Sequence, residues 1–500
     1  MVRRAGSQTA CFWLPTRQRN EDSPPVIVPV ILCGGAGTRL WPASREDAPK
    51  PFLPIIDGTT TFAMTLARVA DRSRFTAPLV IAGAGQRQLV ESGLAAAGVA
   101  GTVLLEPDRR DTAAAVASAA AQVVAADPDA TMLVLAADHV IRDRAAFSAA
   151  VASALPAAEN GRIVVFGLKP TWPASGFGYI HPGAALGEGA ARAVTAFVEK
   201  PDRARAEEFI GAGYLWNSGI FLTKASTVLA EMDRHAPAVA AAARAAFAAA
   251  RREGKVISLD GKAFAAAPKT SLDYAVMEKT DRAAVVAAAF DWSDIGTWAA
   301  VWDAATRDAA GNVVSGNAVV VDARNAYVST DRYTVGVVGI DDVVVVAADG
   351  SVLVTTLSRS GAVKDLVAAI GAGPEKAFGD FVRHFRPWGY YQSLDQGATH
   401  QVKRIVVNPG ARLSLQKHAH RGEHWTVVAG IADITVGMDM ASLKTTRVEV
   451  NGTVHIPLGA IHRMANPGSR PMTLIEVQVG DYLGEDDIVR LEDDYGRKDG

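Results

Sequence analysis

Val30-Ile31-Leu32-Cys33-Gly34-Gly35-Ala36-Gly37-Thr38-Arg39-Leu40-Trp41-Pro42 runs from an apolar strand straight into a glycine-rich turn, and Pro49-Lys50-Pro51-Phe52-Leu53 follows. Glycines let a backbone approach a phosphate chain closely and aim its N–H groups at the oxygens. Arg39 and Lys50 add positive charge suited to a leaving pyrophosphate. The spacing is neither the dinucleotide fingerprint nor the Walker loop. A glycine turn alone is weak evidence, and the two cations beside it carry the reading.

Around this turn, from residue 26 to about 300, short apolar runs alternate with Ala-rich stretches. The runs include Leu79–Ala82, Val103–Leu105, Met132–Ala136 and Ile163–Phe166; the stretches include Thr112–Ala126 and Val239–Arg251, strong helix formers. This alternation argues a layered α/β domain with a largely parallel sheet, whose ligands sit at the carboxyl ends of strands. Beyond 311 the pattern becomes all-β. Val319–Val321, Val335–Val338, Val343–Val346 and Val352–Val354 are short, β-branched and separated by turns such as Asp341-Asp342. Gly371, Gly373 and Pro374 read as a linker. A second all-β block follows, with runs at Val402–Val407, Thr426–Val428 and Leu474–Val477 and a hairpin signal at Asn451-Gly452. The expected organisation is a disordered extension over 1–25, an α/β domain over 26–305, a β-rich extension and linker over 306–375, and an all-β domain over 376–500.

Composition bounds the function. With 500 residues, 21% charged and 49% hydrophobic, the chain is expected to fold as two or three domains. A net charge of -2 gives no electrostatic case for nucleic acid. Its 2 cysteines, Cys11 and Cys33, exclude a disulfide framework and point to a reducing compartment, hence the cytoplasm. The longest Ala-rich run, Ala236 to Ala250, is broken by Pro237 and Arg244 and falls short of the ~20 apolar residues of a membrane span. The sequence leaves homo-oligomerisation open.

The C-terminal block carries its own constellation: Pro409-Gly410, Gln416, His418, Glu423 and Gly430, then Pro457, Gly459, His462 and Asn466. Residues two apart on a strand point to one face, so Gln416 and His418 can converge. Glu423 and His462 complete a nitrogen and oxygen set suited to Zn²⁺ or another divalent ion. The spacing resembles the two cupin motifs.

The run from Cys33 to Leu53 resembles the signature of sugar-nucleotide pyrophosphorylases, and Leu40 to Arg45 is similar to the form found in bacterial mannose-1-phosphate guanylyltransferases. Further matches are Glu106-Pro107 with Arg110-Asp111-Thr112-Ala113, Asp138-His139, Gly176 to Ile180, Glu199-Lys200-Pro201, Trp216 to Gly219, Ser271 to Glu278 and Asp291 to Gly296. His418 to Trp425 and Ile475 to Arg490 resemble the type II phosphomannose isomerase module fused to these enzymes. The resemblance implies an α/β nucleotidyltransferase with a Rossmann-like mixed sheet, a β-rich extension and a C-terminal cupin barrel.

It also implies roles. Gly34, Gly35, Gly37, Thr38, Glu106 and Thr112 would bind GTP, and Gly178, Glu199, Lys200 and Asn217 mannose 1-phosphate. Arg39, Lys50, Asp138 and Asp294 would be catalytic, the two aspartates holding Mg²⁺. In the cup a metal on Gln416, His418, Glu423 and His462 would serve interconversion of mannose 6-phosphate and fructose 6-phosphate, with Arg421 taking phosphate or enediolate charge. No residue is singled out as the base. Departures are Asp111 for the usual Asn, Ala114 for Pro, Lys417 for Met and Ala419 for His. Two other readings remain: a guanylyltransferase with a structural cupin, and a silent sugar-nucleotide sensor. Retention of Arg39, Lys50, Asp138 and Asp294 argues against the sensor.

Overall fold

The computed structural model describes residues 27–34, 37–45, 48–348, 350–371 and 383–495. The expected extension over 1–25, Gly35, and Gly373 and Pro374 of the expected linker lie outside the described residues. Two compact units result. One takes residues up to 35 with Lys50–Ile295, the other 36–49 with residues from 296 onward.

The first unit is built on β1 (Val28–Leu32), β2 (Leu79–Gly83), β3 (Thr102–Glu106), β4 (Thr131–Ala136), β5 (Ile163–Leu168), β6 (Tyr179–Ala185), β7 (Ala191–Val198), β8 (Leu215–Lys224), β9 (Arg251–Glu253), β10 (Val256–Ser258) and β11 (Ala283–Ala287). They form one sheet in the order β5-β11-β7-β6-β8-β4-β1-β2-β3-β10-β9. From β10 through β3, β2 and β1 to β4 the strands are parallel. The other half is mixed: β8 runs antiparallel to β4, β5 and β6, and β7 antiparallel to β6 and β11. Strand–helix alternation thus describes only half of the sheet. No helix separates β6 from β7, so the chain folds back on itself there, as antiparallel pairing allows and parallel pairing does not.

Strand order sets the site. β1, β2 and β3 wind one way and β4 returns to the other side of β1, so the order reverses between β1 and β4. Ligands bind in such sheets outside the strand ends at that reversal. β1 leads there into Cys33-Gly34, and β4 into Ala137-Asp138. Behind the sheet lies the helix Asp111–Ala126, whose Ala113, Ala114, Ala115, Ala117, Ala119 and Ala120 are all buried. Alanine combines the best helix propensity with the smallest side chain, and this helix packs on Ala225–His235 and Pro237–Ala248. Pro237 opens the last of these at its first turn, where its missing N–H costs nothing. Among the described residues no helix is long and apolar enough to cross a membrane.

In the second unit the Val-rich runs form strands as expected; all but the last wind in parallel, and Ser351–Thr356 folds back antiparallel on Val343–Ala348. Val313–Ser315, Tyr327–Thr330 and Val343–Ala348 stack in parallel, as do Ala318–Val321 and Val335–Val338. Asp341-Asp342 therefore turns a corner between two sheets and closes no hairpin. Asp322, Asn325 and Asp342 take positive φ at such corners, a conformation Asx residues tolerate. The C-terminal block is two antiparallel sheets, of six and five strands. Asn451-Gly452 likewise links Lys444–Val448 to Thr453–Ile456 across the two sheets, not within one ladder. Inside, strand Arg421–Ala429 turns Arg421, Glu423, Trp425 and Val427 inward. Its neighbour Met472–Gly480 turns in Met472, Leu474, Glu476 and Gln478. Period-two alternation thus gives a barrel that is apolar at one end and polar at the other.

Candidate functional sites

Lys50 lies in the turn Lys50–Phe52 and is 7% exposed. Its ammonium pairs with the Asp138 carboxylate and donates to the carbonyl oxygens of Asp294 at 2.7 Å and Ile295 at 3.4 Å. A bridge between Val140 and Ser293 carries the Asp294 segment alongside Asp138. The chain then turns at Ile295 with φ 47°, a conformation strained for a β-branched residue and common where a fold holds functional groups. Beneath, His139 packs edge-on against Trp292, whose Nε1 donates to its Nδ1 at 3.3 Å. Burial lowers the His139 pKa; Asp138 and Asp294 oppose the shift, while Lys50 and Arg68 add to it. The Asp138 carboxylate and the Asp294 backbone thus meet at the Lys50 ammonium, and a pair of aspartates on neighbouring segments suits Mg²⁺. Buried Arg68 donates to the His139 carbonyl at 2.9 Å and braces the turn. Gly34 follows β1, whereas Gly37, Thr38 and Arg39 belong to the second unit. There Arg39 is exposed on the short turn Thr38–Leu40.

The expected sugar residues cluster in the first unit. Lys200 Nζ pairs with Glu199 Oε1 at 2.9 Å, and the Asn217 amide N–H donates to the Gly178 carbonyl at 2.8 Å. Asp273 was given no role from sequence, although it lies in the Ser271 to Glu278 match. Its Oδ1 accepts from Asn217 Nδ2 at 3.0 Å, and it opens a π-helical turn, Asp273–Met277. A Cβ on Gly178 would lie 2.5 Å from Glu199 Oε2 and 3.2 Å from Asn217 Cβ. The bare glycine thus makes room for the pocket's own side chains. Gly178→Ala is expected to displace Glu199 and lower kcat/KM for the sugar phosphate by roughly 10- to 100-fold, as sub-ångström misplacement does; steady-state kinetics at saturating nucleotide check this.

Burial, with the Glu199 charge adding, pushes the Asp273 carboxyl up to about 7. The folded chain then holds a proton that the unfolded chain loses near pH ~4, so this group's contribution to stability falls between about 4 and 7 and stays low above. Asp273→Asn keeps the acceptor for Asn217. It is expected to raise the thermal midpoint of this unit at about pH 8 and to change little at about pH 4, readable from melts of both proteins.

Glu106 ends β3, where burial pushes its carboxyl up to about 7 and leaves Oε1 without a hydrogen-bond partner. Thr112 Oγ1 accepts from the Leu272 amide at 2.9 Å, tying the helix Asp111–Ala126 to the Asp273 turn. Asp111 sits at φ 64°, which Asn and Asp both tolerate, so its replacement of the usual Asn preserves the backbone.

In the barrel one ligand atom each from His418, Glu423 and His462 lie within 4.8 Å of one another, all three residues buried. His418 Nε2 is 3.2 Å and His462 Nε2 3.6 Å from the Glu423 carboxylate. His462 Nδ1 contacts the Ala460 carbonyl at 2.9 Å, which fixes the proton there and turns the Nε2 lone pair inward. Both His418 nitrogens and His462 Nε2 are buried without a hydrogen-bond partner, a state a divalent ion would relieve. Burial pushes the Glu423 pKa up, but His418, His462 and Arg421 outweigh it and hold the carboxylate ionised. Gln416 faces His462 across the ladder and lines the same cavity, its Oε1 accepting from Ser414 Oγ at 2.8 Å. Arg421 is 2% exposed and committed to the protein: it bonds Glu423 Oε1 at 3.4 Å and the Gly484 carbonyl at 2.7 Å, and pairs with Asp487 at 3.5 Å. Glu476 and Gln478, unassigned from sequence, share this inward face, and Gln478 Nε2 bridges Glu423 and Glu476 at 3.0 and 2.9 Å.

A model of the family described as Nucleotidyl transferase matches residues 28–311. One described as MannoseP isomerase/GMP-like beta-helix domain matches 316–370, and one described as Mannose-6-phosphate isomerase C-terminal matches 375–493. The chain is 46% identical to the xanthan biosynthesis protein XanB of Xanthomonas campestris, over 94% of this chain and 99% of that one. It is 42% identical to a mannose-1-phosphate guanylyltransferase of Sinorhizobium fredii, over 99% and 96% of the two chains. A crystal structure from Thermus thermophilus, described as a mannose-1-phosphate geranyltransferase, is 36% identical with a TM-score of 0.62, covering 69% of this chain and 99% of that one. The chain belongs to the family of mannose-1-phosphate guanylyltransferases that carry a mannose-6-phosphate isomerase C-terminal domain.

Proposed function

We propose that the chain transfers GMP from GTP to α-D-mannose 1-phosphate, releasing pyrophosphate and forming GDP-mannose, and that its barrel interconverts mannose 6-phosphate and fructose 6-phosphate. The observation that carries the first activity is the meeting of Lys50, Asp138 and Asp294 where the strand order reverses. No covalent nucleophile is needed: a sugar phosphate oxygen attacks the α-phosphorus in line, and catalysis is positioning plus charge neutralisation. Lys50 neutralises the phosphate chain, and Arg39 is assigned to it by its signature. Asp138 and Asp294 would hold Mg²⁺, whose charge neutralises phosphate oxygens. Glu199 and Asn217 receive sugar hydroxyls and Lys200 the sugar phosphate. GTP as substrate fits the cytoplasmic location expected from composition.

The buried, unpartnered imidazole nitrogens of His418 and His462 support the second activity. A metal held there with Glu423 and Gln416, Zn²⁺ by its donor set, would polarise the sugar carbonyl. The test is a panel of four nucleoside triphosphates against four sugar 1-phosphates for pyrophosphate release, with mannose 6-phosphate isomerisation measured alongside. GTP with mannose 1-phosphate should lead; a different pair leading by about tenfold or more, one step of ~1.4 kcal/mol, would overturn the assignment. Transfer without isomerisation would make the barrel structural.

A further inference from the structure

We propose that the mouth of the barrel holds a phosphomonoester: Arg386 and Lys403, gathered on the Tyr391 ring, bind the phosphate of a sugar 6-phosphate whose other end reaches the His418–Glu423–His462 cup. This rests on the isomerase reading and places the phosphate away from Arg421. Arg421 also lines this cavity, but its guanidinium is already bonded to Glu423, Asp487 and the Gly484 carbonyl.

Two neighbouring cavities share lining residues here. Arg386, Tyr391 and Lys403 line the same cavity as Gln416 and Glu423. A wider cavity shares Tyr391, Lys403 and Glu485 with it and runs on past His384. Lys403 is 4% exposed, on the inward face of strand His400–Val407 with Ile405 and Val407. A buried ammonium needs counter-charge. Here it meets the Tyr391 ring at 4.9 Å and Glu485 Oε1 at 2.5 Å. The Arg386 guanidinium lies 5.2 Å from the same ring, with Nη2 3.4 Å from the Tyr391 hydroxyl, and His384 stacks on the ring at 4.8 Å. An aromatic face gathers cations, and an arginine fork matches phosphate oxygens.

Glu485 occupies the anion position in the protein alone. Burial pushes its carboxyl up, yet Lys403, Arg421 and Arg386 together hold it below its ordinary range, as a carboxylate among cations requires. Its side chain is 46% exposed and can swing to water when a phosphate dianion replaces it. Geometry and charge thus place the doubly charged end of the substrate at the mouth and its neutral, reacting end in the cup.

The experiment uses the full chain with its divalent metal. Saturating GDP-mannose occupies the transferase site, and binding of mannose 6-phosphate and of inorganic phosphate is measured by calorimetry beside isomerisation kinetics. Lys403→Met and Arg386→Gln should each weaken both ligands about tenfold, as loss of a charge-assisted hydrogen bond does, and raise KM more than they lower kcat. Arg447→Gln, on the outer face, should change neither. If both variants bind mannose 6-phosphate as the parent does while the parent isomerises, the phosphate subsite is wrong and the isomerase reading stands. If binding depends on Lys403 but the parent does not isomerise, the subsite stands and the isomerase reading falls. If the parent neither binds nor isomerises, both fall. Should Lys403→Met not fold, Arg386→Gln decides the matter by the same readout.

Discussion

Lys50→Met is expected to cut pyrophosphate release by roughly 10²–10³, the cost of removing one preorganised charge from a site where negative charge develops. Lys50 is the cation that touches both aspartate segments, through the Asp138 carboxylate and the Asp294 carbonyl. The fold has also accepted an unfavourable backbone at Ile295 where that second contact is made. Methionine keeps most of the aliphatic stem, so packing is preserved while charge is lost. The rival explanation for a dead variant is unfolding, because breaking a fully buried pair costs roughly 3–5 kcal/mol. That figure overstates the case here, since the Asp138 side chain is 23% exposed and water can take over part of its solvation. Isomerisation is assigned to the other unit and should be unchanged, while the thermal midpoint of the first unit supplies the folding control. Release within about tenfold of the parent in a folded Lys50→Met protein would remove Lys50 from the mechanism.

Much of this was legible because chemistry and local structure coincide. The glycine turn after β1 and Asp138 after β4 could be placed from apolar runs ending in functional residues, and the sheet delivers Gly34 and Asp138 to its reversal point. The valine runs at 319, 335, 343 and 352 were readable as strands from their period. The parallel winding of the first three was not, because Asp341-Asp342 looks the same in a coil corner as in a hairpin. Asn451-Gly452 misleads for the same reason: turn chemistry specifies a bend, and only tertiary packing decides which sheets it joins. Arg421 beside His418 and Glu423 is expected from sequence to take substrate charge, and it does line the cavity. Alternation along Arg421–Ala429 puts it on the inward face, but its burial depends on Gly484 and Asp487 far along the chain. Asp273 and Glu476 carry usable signals, the first as an acidic residue within a matched motif and the second as a polar residue at a strand's inward position.

His418→Ala is expected to empty the cup of metal and lower isomerisation by at least about 100-fold, beyond the usual cost of losing a mere supporting contact. Of the three clustered ligands, His418 is 2% exposed, its Nδ1 has no hydrogen-bond partner and its Nε2 faces only the Glu423 carboxylate of the same cluster. Glu423 differs: Arg421, Trp425 and Gln478 also bond it, and removing it would disturb all three. Alanine at 418 therefore isolates the metal question with the least damage to the wall. Metal content per chain, measured by elemental analysis after dialysis, should fall sharply. The thermal shift produced by a chelator in the parent should vanish in the variant, because a ligand stabilises only the state that binds it. GDP-mannose synthesis should remain within about twofold of the parent, since the substitution lies outside the unit that holds Lys50 and Asp138. Undiminished metal content in a folded His418→Ala protein would show that the ion, if bound, is held elsewhere. Metal loss in a parent that never isomerised would leave the cup a structural clamp on the barrel.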